Sequence, residues 1–173
     1  MEFTQGVRFD SLGLSPEIMR AIGQRRIEES TPVQAGCIPP MMEWRDVIAK
    51  APTGTGKTFA YGIPIVEHVE PENESVQAVI LAPTRELAIQ ITDEMRDLAT
   101  YKPGVRMVCL YGGAPIGRQI DALKKHPQIV VATPGRLSDH MKRRTVRVES
   151  AQTVVLDEAD RMLDMGFVHD VTR

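Results

Sequence analysis

From residue 46 onward, apolar runs of strand length alternate with segments whose apolar residues recur every three or four positions. Residues 47–51, 78–82, 106–110, 129–132 and 153–156 are rich in Val, Ile and Leu with no polar alternation. That pattern predicts strands covered on both faces. Between them the spacing predicts helices near 57–69, 85–100, 115–125 and 135–144. In the second of these, Leu87, Ile91, Met95 and Leu98 fall on one face. Alternation of this kind predicts an α/β fold, a parallel sheet with right-handed crossovers and helices on both faces.

Residues 1–45 read differently, as short helices broken by turns. Ser15-Pro16 and Thr31-Pro32 each carry a helix-start signal, a side-chain cap followed by a residue without the orphan N–H. The chain therefore divides into a helical segment at 1–45 and an α/β domain at 46–173. Glu70-Pro-Glu-Asn-Glu-Ser75 reads as a polar surface loop.

Composition narrows the class. A chain of 173 residues is the size of one ordinary domain, with enough length to bury a core. No apolar run approaches the roughly 20 residues of a membrane helix, so no membrane association is expected. The first residues show no basic region followed by an apolar stretch, so no signal peptide is expected. Cys37 and Cys109 lie far apart with no metal-ligand spacing, and Cys109, in an apolar run, reads as a buried thiol. A reducing, cytoplasmic setting fits. The net charge of −2 argues against nucleic-acid binding by bulk electrostatics. Glu67, Glu70, Glu72 and Glu74 crowd one stretch, and Lys124, Lys125, Lys142, Arg143, Arg144 and Arg147 fall in another. Each reads equally well as a solvated face.

Ligands of open α/β sheets bind beyond the carboxyl ends of the strands. The first predicted strand runs into Ala51-Pro-Thr-Gly-Thr-Gly-Lys-Thr58, a P-loop with alanine in place of the usual first glycine. Gly54 and Gly56, interleaved with Thr53 and Thr55, let the backbone fold so that its N–H groups converge on phosphate oxygens. The helix starting near Lys57 adds its positive dipole end. Lys57 is expected to reach the β- and γ-phosphates, and the Thr58 hydroxyl to ligate Mg²⁺. The last predicted strand ends in Asp157-Glu-Ala-Asp160. Alone, such acids are most often solvated loop residues. At a strand end, in a chain carrying a P-loop, Asp157 reads as the metal-side carboxylate, acting through a Mg²⁺-bound water. Glu158 reads as the general base that orients the attacking water. Hydrolysis of a nucleoside triphosphate follows from these residues.

The sequence Asp157-Glu-Ala-Asp160 resembles the motif that names the DEAD-box RNA helicases. Pro83-Thr-Arg-Glu-Leu-Ala88, Gly112 with Gly113, and Thr133-Pro-Gly-Arg136 resemble further elements of that family, in order. So does Ile27-Glu-Glu-Ser-Thr-Pro-Val-Gln34 with Phe9 upstream, and the likeness runs from Phe9 to about Phe167. The resemblance implies a RecA-like domain that takes ATP, with Gln34 reading the adenine edge and Phe9 stacked on the base. A glutamine amide donates and accepts at once, as the N6 and N7 edge of adenine requires. Arg26 departs from the family, which usually has glycine there; this bears on a local turn and not on the adenine contact.

The resemblance also implies RNA as partner, held through its sugar–phosphate backbone by Arg85, Gly112, Gly113, Thr133, Gly135 and Arg136. Without the family, Thr133-Pro134 is a capped helix start and Gly112 with Gly113 a turn. Helix N-termini capped by Thr84 and Thr133 would nonetheless suit phosphate, and backbone contacts imply little sequence preference.

In that family the core has two RecA-like domains. The second, which supplies an arginine finger worth roughly 10³–10⁵ in rate, is absent from this sequence, as is the serine–alanine–threonine element. The expectation is an incomplete first domain that binds nucleotide weakly and barely hydrolyses it, with a strand-exchanged oligomer as one outcome. The alternative is a non-catalytic nucleotide- or RNA-binding module. A switch GTPase would show Asn-Lys-x-Asp and Asp-x-x-Gly signatures, and neither occurs. A small-molecule kinase would lack the elements at Gln34 and 133–136.

Overall fold

The structure is a computed structural model that describes residues 15–24 and 57–158. Its elements, in order, are α1 (Pro16–Gln24), α2 (Lys57–His68), β1 (Ala78–Leu81), α3 (Arg85–Leu98), β2 (Met107–Leu110), α4 (Ile116–Leu123), β3 (Ile129–Ala132), α5 (Pro134–Lys142) and β4 (Thr153–Leu156). Each element predicted from periodicity within this span is present, with ends shifted by at most two residues. The predicted strand at 47–51 and the Thr31-Pro32 helix start lie outside the described residues.

Two compact units are formed. The larger contains residues 70–93 and the described chain from Gly104 onward. Its strands make one parallel sheet in the order β2-β3-β1-β4. Ala78, Val79, Ile80 and Leu81 align with residues 129–132 of β3 and 153–156 of β4, and β2 aligns with β3 in the same register. The strands therefore end level with one another.

β1 and β3 are buried at all four positions, as their unbroken apolar runs require. On one face Val79, Leu81, Val108, Leu110, Val130 and Ala132 pack with Leu123 of α4, Leu137 of α5 and Val146. Fully burying a side chain of this kind contributes about 1.5–3 kcal/mol. β2 and β4, at the edges of the described sheet, are only half covered. The expectation of two-sided burial therefore fails for β4, where Val154 is 56% and Leu156 39% exposed. They align with Val79 and Leu81, on the face that α4 and α5 cover further across the sheet. Cys109, in β2, is likewise half-buried rather than buried, and it takes part in no disulfide among the described residues.

The amino ends of the strands are tied by two glutamines. Gln128, 0% exposed, donates from Nε2 to the carbonyls of Pro71 and Gly104 (both 3.0 Å) and accepts the Arg106 N–H at 2.7 Å. Gln77 holds the predicted surface loop through Glu70 and Asn73. These bonds satisfy backbone groups that would otherwise be lost at the sheet margin.

The smaller unit contains α1, α2 and residues 94–103. Helix α2 lies so close to the end of α3 that a Cβ on Gly62 would stand 2.6 Å from Met95 Sδ. Ser15 caps α1, its Oγ accepting the Ile18 N–H at 3.4 Å, and its own N–H donates to Glu67 Oε1 at 2.8 Å. Lys102 Nζ closes the carboxyl end of α2 by donating to Val66 O (2.6 Å) and Glu67 O (3.1 Å). A cation there meets both orphan carbonyls and the negative dipole end. Burial holds the Lys102 ammonium below its usual value, against the raising influence of Glu67 and Glu17.

Candidate functional site at the strand ends

The row Leu110, Ala132, Leu81 and Leu156 closes the sheet at its carboxyl edge. One residue further, three hydrogen bonds extend the ladder: Ala82 N–H to Ala132 O (3.0 Å), Thr133 N–H to Leu110 O (2.9 Å) and Asp157 N–H to Leu81 O (2.8 Å). The segments carrying Arg85, Gly112 and Gly113, Thr133 to Arg136, and Asp157 with Glu158 all leave the sheet from this edge. Residues up to 73 positions apart in the chain (158 − 85) are thereby gathered on one side.

Thr84 caps α3 as expected, its Oγ1 accepting the Leu87 N–H at 3.2 Å. Arg85 follows with its side chain 52% exposed. Its guanidinium carbon stands 5.8 Å from the centre of the Tyr111 ring, within cation–π range. Arg85 Nη1 is 3.3 Å from where a Cβ on Gly113 would lie. Gly113 has φ +82°, a left-handed turn that a side chain would strain, and it lets the guanidinium settle against the backbone.

Thr133 departs from expectation. It occupies the N-cap of α5 in extended conformation (φ −80°, ψ 144°), with Pro134 starting the helix, but its hydroxyl makes no cap bond. The Leu137 N–H is taken by the Thr133 carbonyl at 3.0 Å. Pro134 has no N–H to satisfy, while the Gly135 and Arg136 N–H groups, which a capping hydroxyl would take, receive no bond from Thr133 Oγ1.

Arg136 points back into the protein, its side chain only 14% exposed. Nη1 donates to Ala114 O (3.1 Å) and Gln119 Oε1 (3.3 Å), and Nε stands 3.8 Å from Asp139 Oδ2. Gln119 in turn donates from Nε2 to Tyr111 O at 2.9 Å and meets His140 Nε2 at 2.8 Å. Burial, then the nearby Arg136 guanidinium, lower the His140 pKa from its usual value; Asp139 opposes them and Arg143 adds to them. Gln119 and His140 were not singled out from the sequence. A signal was present, since Gln119 lies in step with Ile116 and Leu123, and His140 with Leu137, on otherwise apolar helix faces.

At the far end of the row, Asp157 is 3% exposed at the tip of β4. Glu158 is half-buried and held at φ +52°. A left-handed conformation costs a glutamate on the order of 1–2 kcal/mol. Such strain is retained where the surrounding structure fixes a side chain in a required direction.

The sequence of the chain matches the DEAD/DEAH box helicase family over residues 31–173. The chain belongs to that family. It is 55% identical over 163 residues to the DEAD-box ATP-dependent RNA helicase CshA of Geobacillus kaustophilus, covering 94% of this chain and 35% of that protein. Identity to the Bacillus subtilis protein of the same name is 51% over 165 residues, covering 95% of this chain and 33% of that one. The chain thus spans about a third of the length of these curated relatives. The crystal structure of a DEAD box protein from the hyperthermophile Methanococcus jannaschii superposes with a TM-score of 0.88 at 42% identity. That match covers 95% of this chain and 45% of the other. The α/β fold expected from the sequence is the fold of this helicase family.

Of the residues that the DEAD-box resemblance points to, Phe9, Gln34 and the P-loop positions Thr53, Gly54, Thr55 and Gly56 lie outside the described residues, as does the Lys57 side chain. Thr58 is described: it is 8% exposed in the first turn of α2. Among the described residues no cluster of three His, Cys, Asp or Glu side chains could hold a metal by itself. Nor is any described helix long and apolar enough to cross a membrane.

Proposed function

We propose that the chain is the nucleotide- and RNA-binding first part of an ATP-dependent RNA helicase core, with residues 1–45 serving adenine recognition and 46–173 forming the RecA-like domain. The observation that carries this reading is the shared strand edge, where Arg85, the glycine loop, the start of α5 and the acidic pair stand together. In the relatives named above, helicase activity belongs to proteins about three times longer, so unwinding is proposed for the whole protein and not for these residues alone.

In this reading Lys57 and Thr58, at the start of the 12-residue α2, take the phosphate side of ATP with Thr53, Gly54, Thr55 and Gly56. Phe9 and Gln34 take the base. Thr58 and Asp157 would be the residues to hold Mg²⁺, which when bound would supply charge neutralisation on the phosphate oxygens. Glu158 orients the attacking water and accepts its proton, a task that fits a carboxylate fixed by its backbone turn. On the RNA side, Arg85 offers an exposed guanidinium. Gly112 and Gly113 admit the backbone closely, while Thr133, Gly135 and Arg136 present the open start of α5 to a phosphate. Two cysteines, Cys37 and Cys109, far apart and without metal-ligand spacing, fit a reducing, cytoplasmic setting.

Steady-state ATPase measurements with and without single-stranded RNA test the proposal, on this chain and on a longer protein that continues past Arg173. RNA-stimulated turnover in the longer protein, lost in Glu158→Gln while RNA binding persists, is the expected result. A longer protein that binds RNA but shows no ATPase activity would favour the non-catalytic binding module instead.

A further inference from the structure

The carbonyl groups on either side of the glycine pair are both held from below. Tyr111 O accepts from Gln119 Nε2 at 2.9 Å, and Ala114 O accepts from Arg136 Nη1 at 3.1 Å. The two donors also meet each other, since Arg136 Nη1 reaches Gln119 Oε1 at 3.3 Å. Behind them His140 Nε2 stands 2.8 Å from the same Gln119 oxygen. Gln119 is 6% and His140 0% exposed, so water does not compete for these bonds.

Chemistry fixes the Gln119 amide in this network. Tyr111 O can only accept and Arg136 can only donate, so the Gln119 amide has one arrangement, with Nε2 toward the loop and Oε1 toward Arg136 and His140. His140 Nε2 therefore carries a proton and donates it. His140 Nδ1 faces Thr145 Oγ1 at 2.8 Å, and the single Thr145 hydroxyl proton has two acceptors in reach, Nδ1 of the neutral ring and the His140 carbonyl at 3.1 Å. Thr145 is delivered to that spot by the end of α5, where Arg144 turns left-handed at φ +59°. The N–H of Arg144 returns to Met141 O at 3.1 Å and that of Thr145 to His140 O at 3.0 Å, a paired helix-ending turn. Two apolar side chains would seal α4 against α5 equally well. What the amide and imidazole add is direction.

We propose that Gln119 and His140 are positioning residues that hold the 111–114 loop and the Arg136 guanidinium in one arrangement, preformed for a single-stranded ribose-phosphate backbone. The assignment rests on the RNA reading given above. It makes Gln119 the joint between the two backbone-gripping elements, with His140 as the clamp that fixes its amide. Arg136 keeps Nη2 for a phosphate, while its Nη1 is committed to the loop.

Two substitutions at one position separate direction from packing. His140→Gln places an amide nitrogen where Nε2 stood and keeps the donor to Gln119. His140→Asn places its amide near Nδ1, keeping Thr145 but releasing Gln119. Gln119→Met keeps the volume between the helices and none of the bonds. The measurements use the 173-residue chain: anisotropy with a labelled oligouridylate, amide NMR signals of Gly112 and Gly113 with the Arg136 Nε–H, and urea denaturation. His140→Asn and Gln119→Met are expected to weaken oligouridylate binding about fivefold, as for one lost hydrogen bond, and to shift all three NMR signals. His140→Gln is expected to stay within about twofold of the parent with its signals in place, since its bond is retained.

If the two His140 variants lose binding together, in step with their urea midpoints, the role is merely structural and the proposal falls. Parent-like binding and signals in Gln119→Met overturn it as well. Absence of oligouridylate binding by the parent would count against the RNA reading instead. The NMR signals then decide the positioning claim alone: shifts in His140→Asn but not in His140→Gln uphold it, and unchanged signals in both overturn it.

Discussion

Replacing Gly62 by alanine tests the helix packing of the smaller unit through the sign of its effect. In a helix interior alanine is favoured over glycine by about 1 kcal/mol, so propensity alone predicts stabilisation. The structure predicts the reverse. The new Cβ would lie 2.6 Å from Met95 Sδ and 2.9 Å from Leu98 Cδ1, well inside contact distance. Met95 is 0% and Leu98 1% exposed, so neither can swing into solvent, and α2 must move off α3 or both side chains must leave their rotamers. Overpacking of this kind costs about 1–3 kcal/mol, which cancels the propensity gain and leaves a net loss of up to about 2 kcal/mol. For a chain of this length that is a fall in Tm of up to roughly 8 °C. Gly117→Ala, exposed in the first turn of α4 with no atom within 4 Å of the new Cβ, is the matched control. It is expected to gain up to about 1 kcal/mol. Thermal and urea denaturation of both variants against the parent measure the difference. A Gly62→Ala protein stabilised over the parent as much as Gly117→Ala would show that the close approach of these helices does not exist.

Two further outcomes follow from the strand-end site. Gly113→Ala forces a side chain into φ +82° and against Arg85, so it should lose about 1 kcal/mol of stability together with RNA affinity. Gly112→Ala, with nothing within 4 Å of its Cβ, should lose RNA affinity while its urea midpoint moves by less than about 0.5 kcal/mol. The second outcome concerns pH. Because burial and Arg136 lower the His140 pKa from 6.5, with Asp139 opposing and Arg143 assisting, the unfolded chain takes up this proton first as pH falls. The associated stability is complete above about pH 6.5 and declines below it, by at most about 1.4 kcal/mol per pH unit, until the folded ring also titrates. Urea midpoints at pH 8 and pH 5.5 for the parent and His140→Gln measure it, and parallel pH profiles would refute it.

Local chemistry determined what the sequence could disclose by itself. Strands and helices declared themselves because a buried parallel strand needs an unbroken apolar run and a helix needs a stripe, and both are properties of neighbouring residues. Thr84, Arg85, the glycine pair and the acidic strand end were legible because their roles depend on a turn, a helix start or a strand tip. Tertiary structure alone decided what depends on partners distant in the chain. The order β2-β3-β1-β4 put β4 at an edge of the described sheet, and Val154 and Leu156 are exposed despite an apolar run that matches the interior strands. Thr133 proved to be a helix start with proline at its first position but without a side-chain cap bond. Arg136, expected to hold the RNA backbone, also donates to a carbonyl and an amide oxygen that lie 22 and 17 positions away in the sequence. Gln119 and His140 looked like interruptions of apolar faces, and only their meeting across two helices gives those interruptions a purpose.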